Sequence, residues 1–120
     1  MLEGNLRKDR EIADLQRENF RRAHAAGAKM VFGTDAGIYP HGLNARQLAV
    51  MVRYGKTPVQ AIQSATVNAA AALDSKEVGI IEAGRWADMV AVAGDPTLDV
   101  SVLENIPVVI KGGALVKDAR

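Results

Sequence analysis

The chain has 120 residues, 48% of them hydrophobic and 24% charged, and a net charge of +1. That length suits one small domain, and the composition argues against disorder. Basic and acidic residues alternate along residues 2–22, so the segregated positive surface that follows a phosphate backbone is missing and nucleic acid is not an expected partner. No apolar run approaches the roughly 20 residues of a bilayer span, and the opening residues are too polar for a secretory leader. No membrane partner is expected. Cysteine is absent, which removes disulfides and thiolate metal sites from consideration and fits a cytoplasmic location.

Residues 5–26 read as an amphipathic helix, with Ile12, Leu15, Phe20 and Ala23 near one face and Gly27 as its C′ stop. A short apolar run at 30–32 then leads directly into Gly33-Thr34-Asp35-Ala36-Gly37. Lacking alternation, this run has the pattern of a strand buried on both faces. After Tyr39-Pro40-His41-Gly42 a second helix is expected over 45–54, capped by Asn44 with Gln47 completing a capping box. Thr57-Pro58-Val59-Gln60 is a stronger helix start, with Thr as N-cap, Pro at N1 and Gln at N3. Asn68 is expected to cap a further alanine-rich helix over 69–73. Beyond Asp74 the pattern changes to short β-like runs at 78–81, 89–93, 107–111 and 114–117. Gly112-Gly113 is a hairpin signal between the last two, and residues 99–105 suit a short helix. A single buried strand followed by helices cannot close a sheet, so its neighbours are expected to lie elsewhere.

Asp35 is the sharpest chemical candidate. Just past the C-terminal end of a strand, a carboxylate can ligate a divalent cation and accept a proton from water bound to it; it can equally cap a turn through backbone hydrogen bonds. His41, in the loop that follows, suits a substrate contact or a metal, although an exposed loop histidine needs neither. His24 reads as structural. Arg46 could face the same loop, Thr34 could orient Asp35, and Trp86 reads as a packing residue of the β-rich tail.

In their order and spacing, Phe32-Gly33-Thr34-Asp35-Ala36-Gly37, Pro40-His41-Gly42, Gly55-Lys56-Thr57-Pro58, Ala65-Thr66-Val67-Asn68-Ala69-Ala70 and Gly84-Arg85-Trp86-Ala87-Asp88 resemble the C-terminal part of the amidohydrolase superfamily. The similarity is greatest to its imidazolonepropionase-like and Xaa-Pro dipeptidase (prolidase-like) branch. The resemblance implies an α/β fold: the last strand and following helices of a (β/α)8 TIM barrel over residues 1–75, and the returning part of a small β-sandwich over 76–120. It implies metal-dependent hydrolysis of a C–N bond in a small amide or dipeptide. Asp35 would be both catalytic residue and metal ligand, His41 would be substrate-binding, and the cofactor would be one or two divalent ions, zinc foremost. The same resemblance calls for a His-x-His pair, two more histidines and often a carboxylated lysine. This chain has only His24 and His41. It is therefore expected to be a fragment, inactive alone, whose partner is the rest of the barrel or a second chain. A non-catalytic remnant or interaction module and a mononuclear deaminase of the same superfamily are the alternatives.

Overall fold

The computed structural model describes residues 2–37 and 40–120, with side chains from Arg7 onward; Tyr39 of the loop motif lies outside the described residues. Four helices are followed by a small sheet: α1 (Leu2–Ala25), α2 (Arg46–Arg53), α3 (Pro58–Ala65), α4 (Val67–Ala72), β1 (Met89–Ala91), a 3-10 turn (Val100–Glu104), β2 (Val108–Lys111) and β3 (Ala114–Asp118).

Helix α1 ends where its sequence says it should. Gly27, at φ 76°, lets its own N–H donate to His24 O at 2.9 Å and the Ala28 N–H donate to Ala23 O at 3.0 Å, the paired bonds of a Schellman C-cap. Its apolar face is only partly used. Phe20 packs on the core, whereas Ile12 and Leu15 are 54% and 60% exposed. Helix α3 carries the expected capping box: the Gln60 N–H donates to Thr57 Oγ1 at 3.2 Å, and the Thr57 N–H donates to Gln60 Oε1 at 2.9 Å. Two other cap assignments are corrected. Helix α2 starts from Ala45 without a side-chain cap, because Asn44 is hydrogen-bonded elsewhere. Helix α4 begins at Val67, one residue before Asn68, whose amide donates instead to Met30 O at 3.4 Å.

The core is small. Leu48 and Met51 of α2, Ala61 of α3 and Val100 of the 3-10 turn form it, with Phe20, Phe32, Val52, Ile62 and Leu103 packed around. Total accessible surface is 8970 Å², against about 6,300 Å² for a compact monomer of this mass. The radius of gyration, 16.6 Å, likewise exceeds the roughly 14 Å of a compact 120-residue domain. Much apolar surface therefore stays uncovered, including Leu73, Ile81 and Leu98.

The sheet is an antiparallel meander in the order β1-β2-β3, with Met89 opposite Ile110 and Lys111 opposite Ala114. Gly112 and Gly113 have φ of 56° and 82°, the two positive values that a type I′ hairpin turn requires. The turn is tied back to the chain before β1: Gly112 N–H donates to Asp88 Oδ1 at 2.7 Å and Gly113 N–H donates to Ala87 O at 3.0 Å. Residues 78–81, expected as a strand, join no ladder. Gly79 instead presses on α4, so close that a Cβ on it would lie 2.8 Å from Ala70 Cβ and 3.0 Å from Thr66 O.

Candidate active site

Residues 30–32, expected to be a strand buried on both faces, run between α1 and the remaining helices without a strand partner among the described residues. Val31 is 51% exposed. What holds the run is helical: Phe32 enters the core, the Phe32 N–H donates to Ser64 O at 2.9 Å, and Asn68 reaches Met30 O. An apolar run acquires a ladder only where other strands are supplied, and the described residues supply none beside it.

Asp35 follows directly, exposed, with φ 49°. Aspartate enters the left-handed region more readily than most residues. Even so, such a conformation costs on the order of 1–3 kcal/mol and gathers at functional sites. It turns the chain sharply at the end of the extended run. His41 is also exposed, followed by Gly42 at φ 98°.

The link between these two residues comes from a residue that sequence reasoning treated as a helix cap. The Asn44 amide donates from Nδ2 to Thr34 Oγ1 at 3.0 Å, and its Oδ1 accepts from the Gly42 N–H at 3.2 Å. One side chain thus joins the neighbour of Asp35 to the neighbour of His41. The partner residues stand ten and two positions away, so only the long-range bond distinguishes this role from capping.

Arg46 stays near the loop, as expected: it lines a cavity with Thr34, Leu43 and Gln47 and also faces Glu104 of the 3-10 turn at 3.6 Å. The remaining candidates lie apart. His24, half-buried in α1, has its Cδ2 3.4 Å from where a Gly55 Cβ would be. Trp86 lies against Gly112 of the hairpin yet is 58% exposed. Lys56, only 7% exposed, was visible in the sequence as part of the Gly55-Lys56-Thr57-Pro58 motif but was given no role at the site. It lines a cavity with His24, Lys29 and Met30, five residues back along the extended run from Asp35. Among the described residues no group of three or more His, Cys, Asp or Glu is arranged to hold a metal. Asp35 has the chemistry of one oxygen ligand, and the described residues gather no complete set around it. No described helix is long and apolar enough to cross a membrane.

Comparison with known proteins bears on this arrangement. The model of the amidohydrolase family matches residues 2–116. The chain is 33% identical over 112 residues to ochratoxinase of Aspergillus niger, covering 88% of this chain and 23% of the relative. It is 40% identical over 63 residues to imidazolonepropionase of Cutibacterium acnes, covering 52% and 16%. Among solved structures, a Xaa-Pro dipeptidase with bound methionine in its active site superposes with a TM-score of 0.81 at 46% identity, over 84% of this chain and 25% of that one. The chain thus spans about a quarter or less of the length of the proteins it matches. A match that runs unbroken from the first helix through the Asp35 turn and into the last strand of the hairpin makes this chain a member of the amidohydrolase family.

Proposed function

We propose that the chain is the C-terminal part of an enzyme that hydrolyses a C–N bond in a small amide or dipeptide, as its prolidase-like and imidazolonepropionase-like relatives suggest. The family is one of TIM barrels and its members are generally metal-dependent. In this reading residues 1–75 hold the last barrel strand, at 30–32, and the helices after it; residues 76–120 are the returning part of a β-sandwich; and the protein works in the cytoplasm. The observation that carries the reading is the placement of Asp35 in a left-handed turn directly after the extended run, inside the stretch that matches the family. The uncovered apolar surface supports it, since the unpaired run and the exposed faces suit a chain completed by the rest of a barrel.

The roles follow from the chemistry of each side chain. One or two zinc-like divalent ions, when bound, would polarise the scissile carbonyl and bring the pKa of a bound water near neutrality. Asp35 would supply one ligand oxygen, accept the proton of the attacking water and return it to the leaving nitrogen. His41 would hold the substrate through an imidazole hydrogen bond. With a single carboxylate to offer, the chain depends for activity on the remaining ligands, whether these come from the same polypeptide or from a partner chain.

The test uses the natural protein that carries this sequence, stripped with chelator, reloaded with zinc, and assayed against Xaa-Pro dipeptides and N-acyl amino acids. Hydrolysis that returns with zinc is expected. Full turnover in metal-free protein, or none on any amide after reloading, would overturn the proposal, and ammonia release from an aminated heterocycle would favour the deaminase alternative.

A further inference from the structure

We infer that Asn44 is a positioning residue, whose side chain sets the distance between the turn that carries Asp35 and the loop that carries His41. This rests on the site reading above and adds to it a residue that touches neither substrate nor metal.

Asn44 does not cap the helix that follows it. It stands immediately before the N-cap of α2, in the region where an asparagine ordinarily satisfies free helical N–H groups. Here α2 has no side-chain cap, and the amide is used at long range. Its Nδ2 donates to Thr34 Oγ1 at 3.0 Å in a half-buried setting, and its Oδ1 accepts from Gly42 N–H at 3.2 Å. An asparagine amide offers a donor group and an acceptor in a rigid plane, so engaging both fixes the spacing of the two segments as well as their proximity. Thr34 and Gly42 each directly adjoin a proposed site residue, and consecutive Cα atoms are held about 3.8 Å apart. A shift at either end of the amide therefore reaches Asp35 or His41 through one peptide unit. The backbone at both places is the kind that needs holding: Asp35 is a non-glycine residue at φ 49° and Gly42 lies at φ 98°. The Asn44 side chain is also based on a firm support, because α2 contributes Leu48 and Met51 to the core.

The test is a set of variants in the natural protein: Asn44→Ala, Thr34→Val, their double mutant, and Thr34→Ser, with kcat and KM expressed per metal-loaded, folded site. A displacement of about 1 Å at a reacting group can cost 10²-fold in rate. Asn44→Ala is therefore expected to lower kcat/KM by about 10- to 100-fold, with kcat reduced and KM raised together. Thr34→Val should lose less. The double mutant should be no worse than Asn44→Ala alone, since both break one linkage. Thr34→Ser, which keeps the hydroxyl, should stay near wild type.

Unchanged kcat/KM in Asn44→Ala overturns the inference. So do losses that simply multiply in the double mutant, and so does a loss that disappears once activity is expressed per folded site, which would make Asn44 merely structural. Asp35→Asn run alongside separates the two levels. If it abolishes turnover while Asn44→Ala leaves kcat/KM unchanged, only the positioning role falls; if it has no effect, the site reading falls and the inference with it.

Discussion

Two extended segments of this chain meet opposite fates. The hairpin β2–β3 finds what it needs close by: two glycines able to take positive φ, a register that pairs Val108 with Asp118 and Lys111 with Ala114, and N–H groups in its turn that donate to Asp88 and Ala87 just ahead of β1. The run at 30–34 is as apolar as any strand at its centre, yet it forms no ladder and leaves Val31 half in solvent. Residues 78–81 are a third case, unpaired and with Gly79 packed closely on α4. The difference shows that strand character in a sequence is a request for partners. It is met locally in the hairpin and is left open at 30–34, where the adjoining residue is the one proposed to carry chemistry.

The sharpest way to break this contrast is to substitute at each segment and ask what is lost. Asp35→Asn keeps the shape and removes the basic oxygen. In the natural protein we expect kcat to fall by at least about 10²–10⁴-fold, the usual worth of general base transfer, with little change in melting temperature. Steady-state kinetics with metal analysis checks this; an enzyme with full metal and most of its kcat would reduce Asp35 to a turn residue. His41→Ala should instead raise KM more than it lowers kcat, as expected when binding is shared by ground and transition states.

Next in size is a substitution that leaves chemistry alone. At Gly79 a methyl group would lie 2.8 Å from Ala70 Cβ and close to the backbone of Thr66, at φ 92°. Gly79→Ala combines overpacking, typically 1–3 kcal/mol, with left-handed strain of roughly 1–2 kcal/mol. The same protein should lose about 2–5 kcal/mol of stability in urea titration and keep its kcat per folded site. A neutral result would mean that residues 78–81 are free to join the sheet.

These cases also show how far the sequence could be read. The Thr57-Gln60 capping box, the Gly27 stop and the Gly112-Gly113 turn were legible because each is decided within about five residues. Asp35 was legible as a candidate from its place after an apolar run, although nothing in the sequence announces its left-handed backbone. Asn44 and Asn68 were misread as caps because their partners, Thr34 and Met30, are distant in sequence. The run at 30–32 was legible as extended and apolar, with its strand neighbours expected elsewhere, and it stands unpaired among the described residues; no local pattern encodes the tertiary partners that would pair it.

Hydrogen exchange sharpens the contrast further. In this 120-residue chain the backbone amides of Val109 and Ile110, inside a paired strand, should exchange more slowly than that of Val31, which has no strand partner. The chain should also melt broadly, given how little it buries. Equal protection at Val31, with a sharp two-state transition at low concentration, would mean that the run finds its ladder in the chain itself or in a second copy.

The smallest expected effect is acidic and belongs to the tail. Hydrogen bonds from Thr97, its hydroxyl first and its backbone N–H second, hold the Asp95 carboxyl below its usual value, and Ser101 does the same for Asp99. Arg120 acts likewise on Asp118 beside the hairpin. A carboxyl whose pKa is lower in the folded chain than in the unfolded one stabilises the fold above the unfolded value and loses that contribution as pH falls through the folded value. The turn at 95–99 and the end of β3 should therefore loosen only below the usual carboxylate range. These groups are exposed, so the loss is small and calls for a local probe. The amide resonances of Thr97 and Ser101, which donate to Asp95 and Asp99 at 2.8 and 2.9 Å, should titrate with midpoints below that of an unstructured aspartate. Midpoints at or above it would mean that the Asp95 and Asp99 turns are not formed in solution, leaving the hairpin as the only self-sufficient part of the tail.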